Sequence, residues 1–290
     1  MASGDAEPTR IIEGQKTKLT RVAHGIVYDP KHDEIIATEP LASSIAFFRG
    51  DAAGEAVPER IIQGPKTQLH QPFQVTVDNE HNELWVADFR TDMLLAYPLD
   101  ARGDVAPIRA IGGSKTGMWM PIGIAVDPQR NLVVAASFMG THTWHHNGGL
   151  FIFDRTANGN VPPKAVIAGP STGIIGLWHA QVYDGKIFTT AINIKYLPPY
   201  DQGGYAPKRG CEGPPLPWVG PLGFVGVWNI TDNGDVPPRE IIRGPGTDLI
   251  HPGGLVLDPA HGEIFASDSV HNGYFGFLLP TLFPAGGAAQ

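Results

Sequence analysis

The chain of 290 residues has a single cysteine, Cys211, so no internal disulfide can form and packing must hold the fold. Positive charge is also scarce. Lys and Arg number 21 against 29 Asp and Glu, a formal charge of −8, and no basic cluster occurs. Nucleic-acid binding needs phosphate-neutralising cations, so none is expected. No apolar run reaches the roughly 18 residues of a membrane-spanning helix, and no membrane association is expected. The opening MASGDAEPTR has neither a basic stretch nor an apolar one. The expected compartment is the periplasm or the exterior, after loss of a leader, with the cytoplasm as the alternative. Absent too are a phosphate-binding G-x-x-x-x-G-K-[ST] loop, a G-x-S-x-G elbow and an H-E-x-x-H helix, so those reaction classes have no motif support.

Glycine and proline, by contrast, are plentiful, at 36 and 27. They fall at fixed intervals between apolar runs, the pattern of many short strands joined by turns. The interval is an internal repeat. A Gly-acid-x-x-Pro turn precedes an R-x-I-x-G strand and then a loop with Thr. Its copies begin at Gly4, Gly54, Gly103, Gly159 and Gly234. After each loop comes an apolar strand ending at Asp29, Asp78, Asp127, Asp184 or Asp258. A second strand follows (EIIAT, ELWVA, NLVVA, KIFTT, EIFAS), then a third (SIAFF, MLLAY, GLFIF, FVGVW, YFGFL). Four short strands per unit make a propeller blade.

The expected fold is therefore all-β: one domain over 1–290, a five-bladed β-propeller of four-stranded blades. The blades are expected near 20–64, 70–113, 119–169, 177–244 and 250–280 plus 8–14. The last of these has the N-terminal strand closing the final blade, which would remove open sheet edges. The stretch Pro121–Asp127, PIGIAVD, and the V-A-D of Val86–Asp88 resemble the NHL-type propeller family. The resemblance covers nearly the whole chain and implies a propeller. That family includes protein-binding, RNA-binding and enzymatic members, mostly with six blades where five are counted here.

Residues common to all copies serve the fold, and departures from the repeat are the candidates for function. The turn histidines His32, His81 and His261 recur at one place and are expected to be structural. The other end of the blades, with the fourth-to-first and second-to-third connections, is irregular. It is expected to hold His24, His70, His142, His145, His146, His179, His251 and His271. Met118, Met120 and Met139 join them, with Trp119, Trp144, Trp178 and Trp218. Two long second-to-third insertions, near 138–148 and 192–222, are expected to roof this mouth. The second includes Tyr196 and Tyr200, and loops of such length are usually functional or disordered.

Three readings follow. His70, His142, His145, His146, His179 and His251 are candidate ligands of a transition-metal ion, copper, zinc or iron, since neutral imidazole suits all three. Such a site would allow metal-dependent chemistry on a small molecule. A metal-free enzyme is the second reading, with His24 or His271 beside Asp88 or Asp268 as acid or base and Arg90 orienting an anion. The third is a binding module for a sugar, a peptide or a protein, in which Trp119, Trp144, Trp178, Tyr196 and Trp218 hold the ligand. Oligomeric state is not legible in the sequence.

Overall fold

The computed structural model describes residues 7–140, 147–192 and 223–283. The described residues form nineteen strands in five antiparallel sheets, the blades of a five-bladed β-propeller. The first blade is β1 (Ile26–Asp29), β2 (Glu34–Glu39), β3 (Ser44–Arg49) and β4 (Arg60–Gln63). The second is β5 (Pro72–Asp78), β6 (Glu83–Asp88), β7 (Met93–Pro98) and β8 (Arg109–Gly112). The third is β9 (Met118–Asp127), β10 (Leu132–Gly140), β11 (Asn147–Asp154) and β12 (Ala165–Ile167). The fourth is β13 (Gly176–Tyr183), β14 (Lys186–Ile192), β15 (Phe224–Asn229) and β16 (Glu240–Ile242). The fifth is β17 (Pro252–Asp258), β18 (Glu263–Asp268) and β19 (Gly273–Leu278). No helix among the described residues is long and apolar enough to cross a membrane.

Contacts divide the chain into two units, 1–135 with 151–164 and 136–150 with 165–290. The core of the first includes Ile36, Phe47, Ile62, Leu84, Val86 and Tyr97, all fully buried. The second packs Phe188, Val225, Leu249, Leu255 and Ile264 in the same way.

Each residue of the repeat has an identifiable job. The Gly-x-x-Thr of the repeat, a plain turn at Gly113–Thr116, is a one-turn 3-10 helix in the other four copies. In it the Thr hydroxyl donates to the Gly carbonyl, at 2.6 Å for Thr67–Gly64 and 2.6 Å for Thr172–Gly169. The same hydroxyl accepts the amide two residues on, as from Leu69 at 3.2 Å. Gly64 has φ 133°, a region closed to L side chains, which accounts for glycine there. The acid of the Gly-acid turn caps the loop of the preceding copy: Asp104 accepts the Lys66 amide at 2.7 Å, and Asp235 that of Ser171 at 2.7 Å. The repeat arginine clamps its own blade. Arg60 bonds Glu34 through two nitrogens, at 3.2 and 2.6 Å, and lies 3.4 Å over the Phe47 ring. At the first-to-second turns, His32, His81 and His261 each place Nδ1 on the Asp three residues earlier, at 2.6, 2.9 and 2.7 Å. Their recurrence is explained by this bond.

The fifth blade departs from the expected four strands. Its ladder is β17–β18–β19, and no fourth strand joins it among the described residues. The N-terminal segment instead bonds the next Gly-acid turn, Glu13 N to Gly54 O at 3.0 Å and Gly54 N to Ile11 O at 2.6 Å. Gln63 and Ile61 make the same pair of bonds with Gly103, at 3.1 and 2.7 Å. Residues 11–13 thus hold one edge as a fourth strand does. Side chains buried elsewhere are open at two places. In the first unit Ile26 is 70% exposed where the register-matched Val75 is 2% exposed. In the second unit Tyr274 is 86% exposed where Val225 is fully buried.

Candidate ligand-binding site

Two groups of side chains gather at the ends of the blades that carry the fourth-to-first connections, one in each unit. In the first unit the His24 ring lies 3.9 Å from that of Phe73, which stacks on Phe89 at 4.9 Å. Burial lowers the His24 pKa to about 4, so the imidazole is neutral at pH 7. Beside it a recess of about 500 Å³ is lined by Leu19, His24, Ile26, Ile35, Ala37 and Phe48.

The acids at the ends of the second strands are structural anchors. Asp88 accepts the His70 and Gln71 amides on Oδ2, at 2.8 and 3.0 Å. Its Oδ1 takes the Thr91 amide and hydroxyl, at 3.1 and 2.9 Å. Asp268 repeats this, taking the amides of Ile250 and His251 on Oδ2 (2.8 and 2.6 Å) and those of Val270 and His271 on Oδ1 (3.0 and 3.2 Å). Both carboxylates are buried and committed to backbone donors, which opposes a proton-transfer role. His70 and Arg90 are exposed, and Trp119 is half-buried. The His271 Nδ1 lies 3.6 Å from Asp268, and its ring meets Phe275 edge-on.

The second unit builds a tighter constellation. Phe138 in β10, Trp178 at the start of β13 and His251 just before β17 form a row, with ring centroids 6.0 and 5.9 Å apart. The two pairs meet edge-to-face, the arrangement that aromatic quadrupoles favour. The His251 Nδ1 lies 3.0 Å from Ser269 Oγ, while its Nε2 is buried and has no hydrogen-bond partner among the described residues. Burial lowers the His251 pKa, and the Asp268 charge opposes this only in part. His251 is therefore a neutral imidazole with one nitrogen unsatisfied beside an indole.

His179 follows Trp178 but has another task. Its Nδ1 sits 3.2 Å from the Leu255 amide and 3.1 Å from the Leu255 carbonyl. Register places His179 opposite the same part of its blade as Gln74, whose Oε1 accepts the Ile124 amide at 2.9 Å. Each of these side chains ties its inner strand to the next one. Among the described residues no three His, Cys, Asp or Glu side chains gather in a way that would hold a metal ion. His142, Trp144, His145, His146, Tyr196 and Trp218, and both proposed roof segments in large part, lie outside the described residues.

The sequence reading missed Phe138, Gln74 and Ser269. Gln74 left a signal: the matching position is Gly25, Gly123 and Gly254 in three other blades. Glycine is required at Gly25, where a Cβ would come within 2.3 Å of the Phe73 carbonyl oxygen. A long polar side chain at such a position has to reach the neighbouring backbone. Ser269 left no signal, because its role depends on a residue 18 positions earlier, in another loop.

No family model matches the chain, and no curated protein is similar to it in sequence. Solved structures share its fold. A chain of Kuenenia stuttgartiensis hydrazine synthase superposes with a TM-score of 0.56 at 12% identity, over 90% of this chain and 65% of that one. A chain of the nidogen/laminin complex gives a TM-score of 0.58 at 13% identity, over 90% of this chain and 77% of the other. This chain therefore spans just under two thirds of the hydrazine synthase chain. Both are β-propellers, and at such identities the likeness establishes the fold alone.

Proposed function

We propose that this propeller binds a small molecule at the row of rings formed by Phe138, Trp178 and His251. The observation that supports this reading is the His251 Nε2 atom, buried without a partner against Trp178. A buried polar atom left unsatisfied costs about 1–3 kcal/mol, which a ligand bonded there would recover. Aromatic walls with a few polar anchors are the usual make-up of a small-molecule site. The NHL-type resemblance of PIGIAVD and V-A-D agrees with this reading, since propellers of that kind carry their sites on connecting loops.

A transition-metal ion, copper, zinc or iron, on the same nitrogen is a second reading. A neutral imidazole with an unclaimed lone pair is a ligand for each. His142, His145 and His146 follow Phe138 closely in the chain, which favours this reading. An acid–base enzyme centred on Asp88 or Asp268 is disfavoured by the backbone bonds those acids make.

The test is a titration of the untagged full chain with phenol and, separately, with zinc, followed by tryptophan fluorescence and calorimetry. Saturable binding that is lost in both His251→Ala and Trp178→Phe supports the site. Elemental analysis of the protein as purified separates the two readings. Binding of either probe unchanged by His251→Ala would place the function elsewhere.

A further inference from the structure

Ser269 makes two contacts with one residue. Its Oγ lies 3.0 Å from His251 Nδ1 and 3.4 Å from the His251 carbonyl oxygen, and its own amide donates to that carbonyl at 3.2 Å. The serine has one hydroxyl proton, and a neutral imidazole has one N–H, so only two arrangements are open. In the first, Nδ1–H donates to Oγ and the hydroxyl donates to the carbonyl. Both protons are then bonded, and Nε2 carries a bare lone pair. In the second, the hydroxyl donates to Nδ1 and the imidazole proton sits on Nε2, where no acceptor is found. The first makes two hydrogen bonds and buries a lone pair. The second makes one and buries an orphan N–H, the rarer and costlier outcome.

We infer that Ser269 is a positioning residue that holds His251 as the Nδ1–H tautomer, so that Nε2 carries its lone pair beside Trp178. This deepens the proposed function and rests on it. It also names the ligand chemistry. The site takes an electron-pair acceptor, either an O–H or N–H donor on an aromatic molecule or a late transition-metal ion. It rejects molecules that offer only acceptors. The arrangement is the one by which a hydrogen bond at one ring nitrogen fixes the role of the other. The exposed position of Ser269 at the end of β18 lets the serine be changed without opening the core.

The experiment uses full-length protein labelled with ¹⁵N-histidine and long-range ¹H–¹⁵N correlation spectra at pH 7, where the His251 cross-peaks are assigned by their loss in His251→Gln. The expected wild-type pattern is protonated Nδ1 and unprotonated Nε2. Ser269→Ala should move the pattern toward protonated Nε2 or an exchanging mixture, and Ser269→Thr, which keeps the hydroxyl, should restore it. A wild-type spectrum with the proton on Nε2, or one unmoved by Ser269→Ala, overturns the inference while leaving the Phe138–Trp178–His251 row as the proposed binding site. Phenol and zinc are then added in separate arms. Each bound probe should shift Nε2 more than Nδ1, and Ser269→Ala should weaken its binding roughly tenfold to a hundredfold, the range for residues that orient a ligating histidine. Anisole, which has no donor, should not bind. If neither phenol nor zinc shifts Nε2 although the tautomer is as expected, the ligand reading fails and the tautomer assignment stands.

Discussion

His24 and Arg155 show how much a single buried polar group decides. The His24 pKa is about 4 when folded, and the ordinary value is near 6.5. The unfolded chain therefore binds a proton that the folded one refuses. Stability is full above the unfolded value, falls as pH drops from about 6.5 to about 4, and is level below that on this account. The loss is at most roughly 3 kcal/mol. His24→Phe should flatten the slope of urea-derived stability between pH 7 and 4.5, and an unchanged slope would show that His24 is hydrated. Arg155 is buried with Glu83 at 2.6 Å and Asp78 at 3.6 Å. Burial alone would raise the Glu83 pKa, but Arg109 and Arg155 more than offset it and hold the carboxyl low. Arg155→Met strands these charges and should cost about 3–5 kcal/mol. Adding Glu83→Gln should recover part of that, which a double-mutant cycle by denaturation would measure.

The repeated loops make the elements comparable with one another. Thr67 is fully buried; its hydroxyl serves Gly64 and Leu69, and its carbonyl accepts the Tyr97 hydroxyl. Thr67→Val keeps the shape and the backbone bond to Gly64 but leaves the Leu69 amide without its partner, at a cost of about 1–3 kcal/mol. The Thr247 hydroxyl makes the same two bonds from a partly open site, where water replaces the lost partner. Thr247→Val should therefore shift the urea midpoint less than Thr67→Val, and equal shifts would refute a solvation origin. These loop residues were legible in the sequence because every copy needs the same turn. Gln74 and His179 were harder to read. Each occupies the inner-strand position given to glycine in other blades, and each bonds the next inner strand. A histidine there looks like a candidate ligand until the Leu255 backbone is seen against it.

At the scale of the molecule the fifth blade is the informative one. Its β19 pairs with β18 alone among the described residues, whereas β7 and β15 each lie between two strands. Amides on the open edge of β19 should exchange with deuterium much faster than those of β15, with little difference along β15 itself. Exchange in β19 as slow as in β15 would mean that a fourth strand covers the edge in solution. Such an open edge is a known route to association, so the same samples should be sized by sedimentation.

The sequence by itself determined the five copies, the four-strand pattern, the turn chemistry and the end of each blade where departures collect. It could do so because strand alternation, φ-restricted glycines and short-range hydrogen bonds act within a few residues. Only the tertiary structure decided which departures are free to function. Asp88 and Asp268 read as acids at a mouth, but backbone amides from the preceding loop saturate them. His179 read as a metal ligand, but a strand 76 residues away holds its ring. Among the candidate histidines of the described residues, His251 was left with a buried ring nitrogen unsatisfied, beside an indole from one strand and a hydroxyl from the loop after another. Whether a polar atom is satisfied depends on every group that surrounds it, and those groups come from segments whose separation in sequence no local rule encodes.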